Sequence, residues 1–372
     1  MTMSTIGVVG LGTMGLGIAQ VYAAAGFQVI ATDAYAPARE TARDRMAEAL
    51  NARVSAGKLS EAARDATLSH LTVAETLDAF TPCDLVIEAI VERLDAKQDL
   101  FRSLEAIVSP QCILGTNTSS IPVRDIAAGL ARPERVMALH FFNPPTAMRL
   151  VELAPHDGTF AQNVKIARQI TENAGKTVID CPDRPGFIVN RCARPYYGEA
   201  LALLAEGRSA SDIDAAMVAA GYRLGPLSLI DLIGADINLA ATRGMYAAMG
   251  QHPRYHVFAP LEAQVAAGHL GRKSGQGFLH PAQPGPAPAD AAQIALRIEA
   301  TLINEAHWLL AEGGTTPEGI DTAMKLGLNF PRGPFEALAL HGRDAVCATL
   351  SALQAAAPQA MKDRYTPAPG LA

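Results

Sequence analysis

Short apolar runs that stop at turn or polar residues punctuate the first half of the chain, and long stretches of helical spacing fill the second. Ile6-Gly7-Val8-Val9, Phe27 to Ala31, Asp84 to Ala89, Cys112 to Gly115, Val136 to His140, Leu150 to Leu153 and Thr177 to Ile179 have the length and boundaries of buried strands. Helices are predicted from the glycine run after Val9 to about Ala25, from Leu94 to Val108 and near Ala161 to Asn173. Residues 36–69 break the alternation. Arg39, Arg43, Met46, Leu50 and Arg53 recur at helical spacing, and Gly57-Lys58-Leu59-Ser60 reads as a turn, which predicts a helical hairpin inserted after the second strand. Strand signals end at Cys181-Pro182-Asp183-Arg184-Pro185-Gly186. Beyond it, helices are expected over Ile188 to Glu206, Ser209 to Ala219 and Leu227 to Met249. A glycine-rich segment (Gly268 to Phe278) and a Pro/Ala linker follow, and residues 291–350 are helical again.

The second helical block repeats the first. Glu199 to Gly207 matches Glu305 to Gly313 at an offset of 106, Asp214 to Met217 matches Asp321 to Met324 at 107, and Gly225-Pro226 matches Gly333-Pro334 at 108. Arg254-Tyr255 finds Arg364-Tyr365. Three matches in nearly one register indicate an internal duplication. Asn190 aligns with Leu296, so a polar site is expected in the first copy only. The expected order is an α/β domain over 1–183, a first helical domain over 184–280, a linker over 281–290 and a second, truncated helical repeat over 291–372.

The chain of 372 residues, 49% hydrophobic and 18% charged, is long enough for two or three cores. A net charge of -6 without a long basic block argues against nucleic acid or an anionic membrane as partner. Five cysteines in no ligand spacing suit a reducing, cytoplasmic setting, and no metal motif is present. Ile6 to Ala31 lacks charge, yet it holds six glycines and no basic flank, so it reads as strand, turn, helix and strand rather than as a membrane segment.

Gly10-Leu11-Gly12-Thr13-Met14-Gly15 follows a strand and opens a helix, and Asp33 ends the next strand 23 positions after Gly10. This is the context of a dinucleotide fingerprint. Gly10 permits the tight turn, Gly12 admits a pyrophosphate and Gly15 lets helix and strand pack. The helix N-terminus offers its amides to the phosphates. Asp33 suits ribose hydroxyls and repels a 2′-phosphate, which favours NAD and a Rossmann-type domain.

Thr116-Asn117-Thr118-Ser119-Ser120, His140-Phe141-Phe142-Asn143-Pro144 and Glu152 fall at or just past the ends of apolar runs. In an open parallel sheet that is where ligands bind. A His, a Ser and an Asn there suit proton transfer to a bound small molecule. A purely structural His, and Asn117 to Ser120 as a helix cap at Pro122, are the plain alternatives. Glu92 and Lys97 bracket another strand end, near where a nicotinamide ribose would lie. Arg39, Arg43, Arg53 and Lys58 on the hairpin read either as phosphate contacts or as a solvated face balanced by Glu40, Asp44 and Glu48.

Together the glycine motif, Glu88 to Glu92, Asn117 to Ser120, His140 to Pro144, Val151 to Leu153 and Pro185 to Arg191 resemble the 3-hydroxyacyl-CoA dehydrogenase family. The resemblance runs from about Thr5 to Phe278 and recurs in the second helical copy. It implies a Rossmann-type NAD domain joined to helical domains, and NAD-dependent oxidation of a 3-hydroxyacyl thioester carried on coenzyme A or a carrier protein, or of a free hydroxy acid. His140 matches the catalytic base and Glu152 its carboxylate partner. Ser119 and Asn190 match the groups that hold the substrate oxygens, and Glu92, Lys97, Asn143 and Lys273 match NAD contacts. Arg53 and Lys58 are the expected contacts to the substrate handle. The duplication further suggests a pseudo-dimer within one chain, with a true homodimer through the surface around Trp308 as the alternative.

Overall fold

A computed structural model describes residues 4–371. It separates into two compact units that meet between Arg184 and Pro185.

The first unit is an eight-stranded sheet in the order β3-β2-β1-β4-β5-β6-β7-β8. Its strands are β1 (Thr5–Val9), β2 (Gln28–Thr32), β3 (Leu71–Val73), β4 (Leu85–Glu88), β5 (Ile113–Thr116), β6 (Val136–Phe141), β7 (Leu150–Pro155) and β8 (Thr177–Asp180). Helices α1 (Thr13–Ala24), α2 (Ala36–Ser55), α3 (Glu61–Ser69), α4 (Leu94–Ile107), α5 (Val123–Ala127) and α6 (Ala161–Asn173) connect them. The central strands β4, β5 and β6 are buried at every residue, as unbroken apolar runs covered on both faces should be.

The register places the site. Thr32, Val9, Glu88, Thr116 and Ala138 are successive partners in one row across parallel strands. Every chemical feature of the unit follows that row closely: Asp33, the glycine loop, Glu92, Ser119 and His140. From β1 to β6 there are three strand spacings, roughly 14 Å.

Two expectations are corrected here. The sequence reading passes over β3, because three residues at a sheet edge carry too little pattern. Glu152 does not lie past a strand end: β7 runs antiparallel to β6, so Glu152 is the third residue of a strand that enters from the site edge. The hairpin over 36–69 is present as α2 and α3, with Ser60 Oγ accepting from the Ala63 amide to start α3.

The second unit is helical: α7 (Val189–Ala205), α8 (Ala210–Ala219), α9 (Pro226–Ile233), α10 (Ala235–Ala248), α11 (Ala259–Ala266), α12 (Ala291–Ala311), α13 (Pro317–Leu328), α14 (Pro334–His341) and α15 (Arg343–Ala356). The helix expected over Leu227 to Met249 is two helices, broken at Gly234, whose φ of 110° no helix tolerates. The two repeats pack through α7 and α12 and grip each other with equivalent residues. Arg191 Nε donates to Glu305 (2.7 Å) and its Nη atoms to Glu312, while Arg297 Nε donates to Glu199 (2.7 Å) and its Nη atoms to Glu206. Arg254 and Tyr255 close on Glu305 as Arg364 and Tyr365 close on Glu199. Each copy also spans its own turn with one aspartate. Asp214 accepts from the Leu227 and Ser228 amides, and Asp321 from those of Phe335 and Glu336.

Candidate active site

The glycine loop joins β1 to α1. A side chain at Gly15 would place its Cβ 1.8 Å from the Gly10 carbonyl oxygen, so helix and strand meet there without room for a methyl group. A Cβ on Gly12 would touch nothing within 4 Å, and no side chain caps the start of α1, which begins with Thr13 and Met14. An open cradle beside uncapped helix amides is what a pyrophosphate needs. At the end of β2, Asp33 accepts from the Leu11 amide (2.7 Å) and the Tyr35 amide (2.8 Å). The residues present therefore fit NAD.

At the end of β4 a buried ionic knot forms. Lys97 Nζ on α4, 1% exposed, lies 2.6 Å from Glu88 Oε1 and 3.1 Å from Glu92 Oε2. Glu88 also accepts from the Thr116 hydroxyl (2.7 Å) and the Ile90 amide (2.8 Å). Glu92 Oε1 then takes the Thr118 hydroxyl (2.6 Å) and the amides of Ser119 (3.0 Å) and Ser120 (3.3 Å). Burial alone would raise the Glu92 carboxyl, but the Lys97 charge and these donors hold it below the usual carboxylate range. In this structure Glu92 and Lys97 shape the loop that presents the half-buried Ser119. The alternative reading of Asn117 to Ser120 as a helix cap is not what α5 uses: Asp183 accepts from the Val123 and Arg124 amides at its start.

His140 and Glu152 are direct partners in the antiparallel ladder, so their side chains leave the same face of the sheet side by side. His140 Nδ1 lies 2.7 Å from Glu152 Oε2, with Glu152 fully buried and His140 7% exposed. An ionised carboxylate only accepts, so Nδ1 carries the proton and the lone pair sits on Nε2. Asn117 Oδ1 accepts from the Phe141 amide (2.8 Å), tying the end of β6 to the β5 loop. Asn143, exposed, follows two residues later and precedes a cis proline.

Asn190 and Lys273 belong to the second unit. Asn190 is half-buried in the first turn of α7, and its backbone carbonyl accepts from Arg194 Nε (3.1 Å). Lys273 Nζ pairs with Asp236 at the start of α10 (2.5 Å). On the hairpin, Arg39 and Arg43 bond to backbone carbonyls of Asp33, Leu68 and Leu71. Arg53, in the last turn of α2 about 20 Å along the helix from Arg39, and Lys58, in the turn that follows, are exposed.

Three contributors escaped the sequence reading. Arg45 Nη1 donates to the Leu11 carbonyl (3.0 Å) and so braces the glycine loop. Its position one turn from the buried Ala42 was the available signal. Lys176 Nζ donates to the carbonyls of Pro145 (2.5 Å) and Met148 (2.8 Å), holding the loop after His140. Glu88 was legible as a strand residue but not as the centre of the Lys97 knot.

Family models decide the lineage. That of the 3-hydroxyacyl-CoA dehydrogenase NAD binding domain matches residues 5–184, and that of the 3-hydroxyacyl-CoA dehydrogenase C-terminal domain matches twice, at 186–280 and 294–371. The chain belongs to the 3-hydroxyacyl-CoA dehydrogenase family. Its cofactor is NAD. The 3-hydroxyadipyl-CoA dehydrogenase of Escherichia coli (strain K12) is 44% identical over 277 residues, which cover 74% of this chain and 58% of that protein. The chain thus spans little more than half the length of that relative. A probable 3-hydroxybutyryl-CoA dehydrogenase of Deinococcus radiodurans is 38% identical over 274 residues, 73% of this chain and 98% of that one. A crystal structure of 3-hydroxybutyryl-CoA dehydrogenase from E. coli K12 superposes with a TM-score of 0.91 at 33% identity, covering 100% of this chain and 98% of the other. That superposition takes in both helical repeats of this chain. Among the described residues no helix is long and apolar enough to cross a membrane.

Proposed function

We propose that the chain catalyses the reversible, NAD-dependent oxidation of an (S)-3-hydroxyacyl-CoA at C3, with His140 as general base. The observation that carries this is the 2.7 Å pairing of His140 Nδ1 with buried Glu152 at the edge of an NAD-binding sheet. His140 Nε2 takes the hydroxyl proton, and the Glu152 carboxylate holds the ring tautomer and offsets the charge of the imidazolium that forms. NAD, when bound, supplies the acceptor for the hydride that leaves C3. Ser119 and Asn190 orient the substrate oxygens and steady charge on the reacting one. In reduction His140 returns its proton to that oxygen. Asn143 and Lys273 are the further residues we assign to the coenzyme, and Arg53 and Lys58 to the substrate handle.

Relatives named for hydroxyacyl-CoA substrates support coenzyme A as that handle. We also infer that the reciprocal clamp between α7 and α12 lets one chain do what a dimer would, leaving a monomer, and that a cytoplasmic setting suits cysteines that form no disulfide among the described residues. Arg254 of the same chain lies over the Trp308 ring at 4.6 Å. NADH consumption with acetoacetyl-CoA, compared between wild type and His140→Ala, tests the reaction. Turnover of the free acid or a carrier-protein thioester, with none of acetoacetyl-CoA, would sink the coenzyme A assignment. A sedimentation mass of two chains would sink the monomer.

A further inference from the structure

The internal repeat is broken at one position that borders a cavity. At the offset of 106 that aligns α7 with α12, Ala202 stands where the second copy has Trp308, the one tryptophan of the chain. In the second copy that indole is half-buried beneath Arg254, whose guanidinium lies 4.6 Å from the ring centroid. Arg364 and Tyr365 are the counterparts of Arg254 and Tyr255. Beside Tyr365 and Ala202 the helical unit holds a cavity of about 490 Å³. Ala202, Ala205 and residues 256–258 form one side, and α12, the end of α15 and residues 357–365 the other, so both repeats line it. Its wall is mostly apolar, with Phe258, Leu353 and Met361 as the larger side chains. His256 meets the Phe258 ring edge to face, centroids 4.8 Å apart. Burial, with the Arg364 charge beside it, pushes the His256 imidazole below its ordinary 6.5, so at neutral pH it offers a lone pair rather than a charge. Arg297 and Glu206 face the cavity as a closed pair with two bonds of 2.7 Å, which leaves no open charge for an ionic ligand.

We propose that this cavity is a binding site for a neutral, planar aromatic small molecule of one or two fused rings, seated beside Ala202 where the other copy of the repeat carries the Trp308 ring. The size and the apolar wall with a few polar groups are those of small-molecule sites, which run to about 300–1,000 Å³. Phe258, His256 and Tyr365 supply ring edges and faces, against which an aromatic guest packs offset or edge-on. An N–H or O–H on the guest has the His256 lone pair as acceptor. Because both repeats form the wall, a bound guest bridges them and by mass action stabilises their packing. None of the residues assigned to the reaction takes part in the site.

Indole is the probe, titrated into the full chain by calorimetry. Wild type is expected to bind one indole with a Kd on the order of 0.1–1 mM, and its melting temperature should rise with indole concentration. Ala202→Trp places in the first copy the ring that the second already has, and should weaken indole at least about tenfold. Trp308→Ala opens the counterpart position and should raise the stoichiometry from one indole per chain to two. Wild type that binds no indole up to about 5 mM overturns the proposal, and so does binding that Ala202→Trp leaves unchanged. A stoichiometry that stays at one in Trp308→Ala overturns the equivalence of the two positions, and the proposal with it. Should Ala202→Trp not fold, Ala202→Leu narrows the cavity by less and should weaken indole at least about threefold, unchanged affinity again overturning the proposal. Octanoate bound where indole is not would assign the cavity to an acyl chain and overturn the aromatic reading.

Discussion

His140 and Glu152 are paired opposite each other across β6 and β7, so a carboxylate with no solvent exposure meets an imidazole through the backbone ladder itself. The geometry needs no loop to set it. His140→Ala is therefore expected to lower kcat by roughly 10²- to 10⁴-fold while NADH binding survives. Glu152→Gln can still accept a hydrogen bond from Nδ1–H but no longer offsets the imidazolium charge. It should lower kcat with little change in melting temperature, as steady-state kinetics beside a thermal melt will read. Parallel loss of NADH affinity in either variant would count against the assigned roles.

The two glycines of the loop should separate binding from folding. Gly12→Ala meets open space, so the protein should melt as wild type does yet bind NADH at least roughly tenfold more weakly. Gly15→Ala drives a methyl group onto the Gly10 carbonyl and should cost about 1–3 kcal/mol of stability or more. Calorimetric melts and coenzyme titration on the same samples distinguish the two outcomes.

The clamp between the repeats predicts a symmetric loss. Glu305→Gln strands the buried Arg254 and leaves Arg191 with Glu312 alone, and Glu199→Gln strands the buried Arg364 and leaves Arg297 with Glu206 alone. Leaving a buried charge without its partner costs about 3–5 kcal/mol, and the two variants should lose similar amounts in urea titrations. Loss from one variant only would show that the repeats share the residues but not the load.

Lys176 gives a dependence on pH. Burial pushes its ammonium down to about 8 from an ordinary 10.5. Between those values the unfolded chain holds a proton that the folded chain has released, so this group adds stability as pH rises through the window and nothing changes below it. Cys83 and Cys112, raised by burial to about 12, act in the opposite sense, because the folded chain keeps their protons. The comparison must therefore be a difference. The stability of wild type minus that of Lys176→Met should grow from about pH 8 to about pH 10, measured by urea midpoints. A flat difference would mean that Lys176 is not desolvated in solution.

Seven of the eight strands, the hairpin and the doubled helical block were legible because each rests on local pattern: apolar runs of strand length, helical spacing, and three segment matches in nearly one register. The glycine loop and Asp33 were legible for a related reason, since turn, helix start and acidic residue lie within 24 positions of one another. Local pattern could nominate His140 and Glu152, and only the family resemblance joined them, because pairing across β6 and β7 depends on strand direction, and a change from parallel to antiparallel leaves no mark in an apolar run. Short edge strands such as Leu71–Val73 escaped for want of length, and the break at Gly234 for want of any signal beyond one glycine. Charges were the least legible of all. Whether Lys97 faces a coenzyme or a buried Glu88, and whether Arg45 faces solvent or the Leu11 carbonyl, is set by partners 9 and 34 residues away, and only the packed chain brings those together.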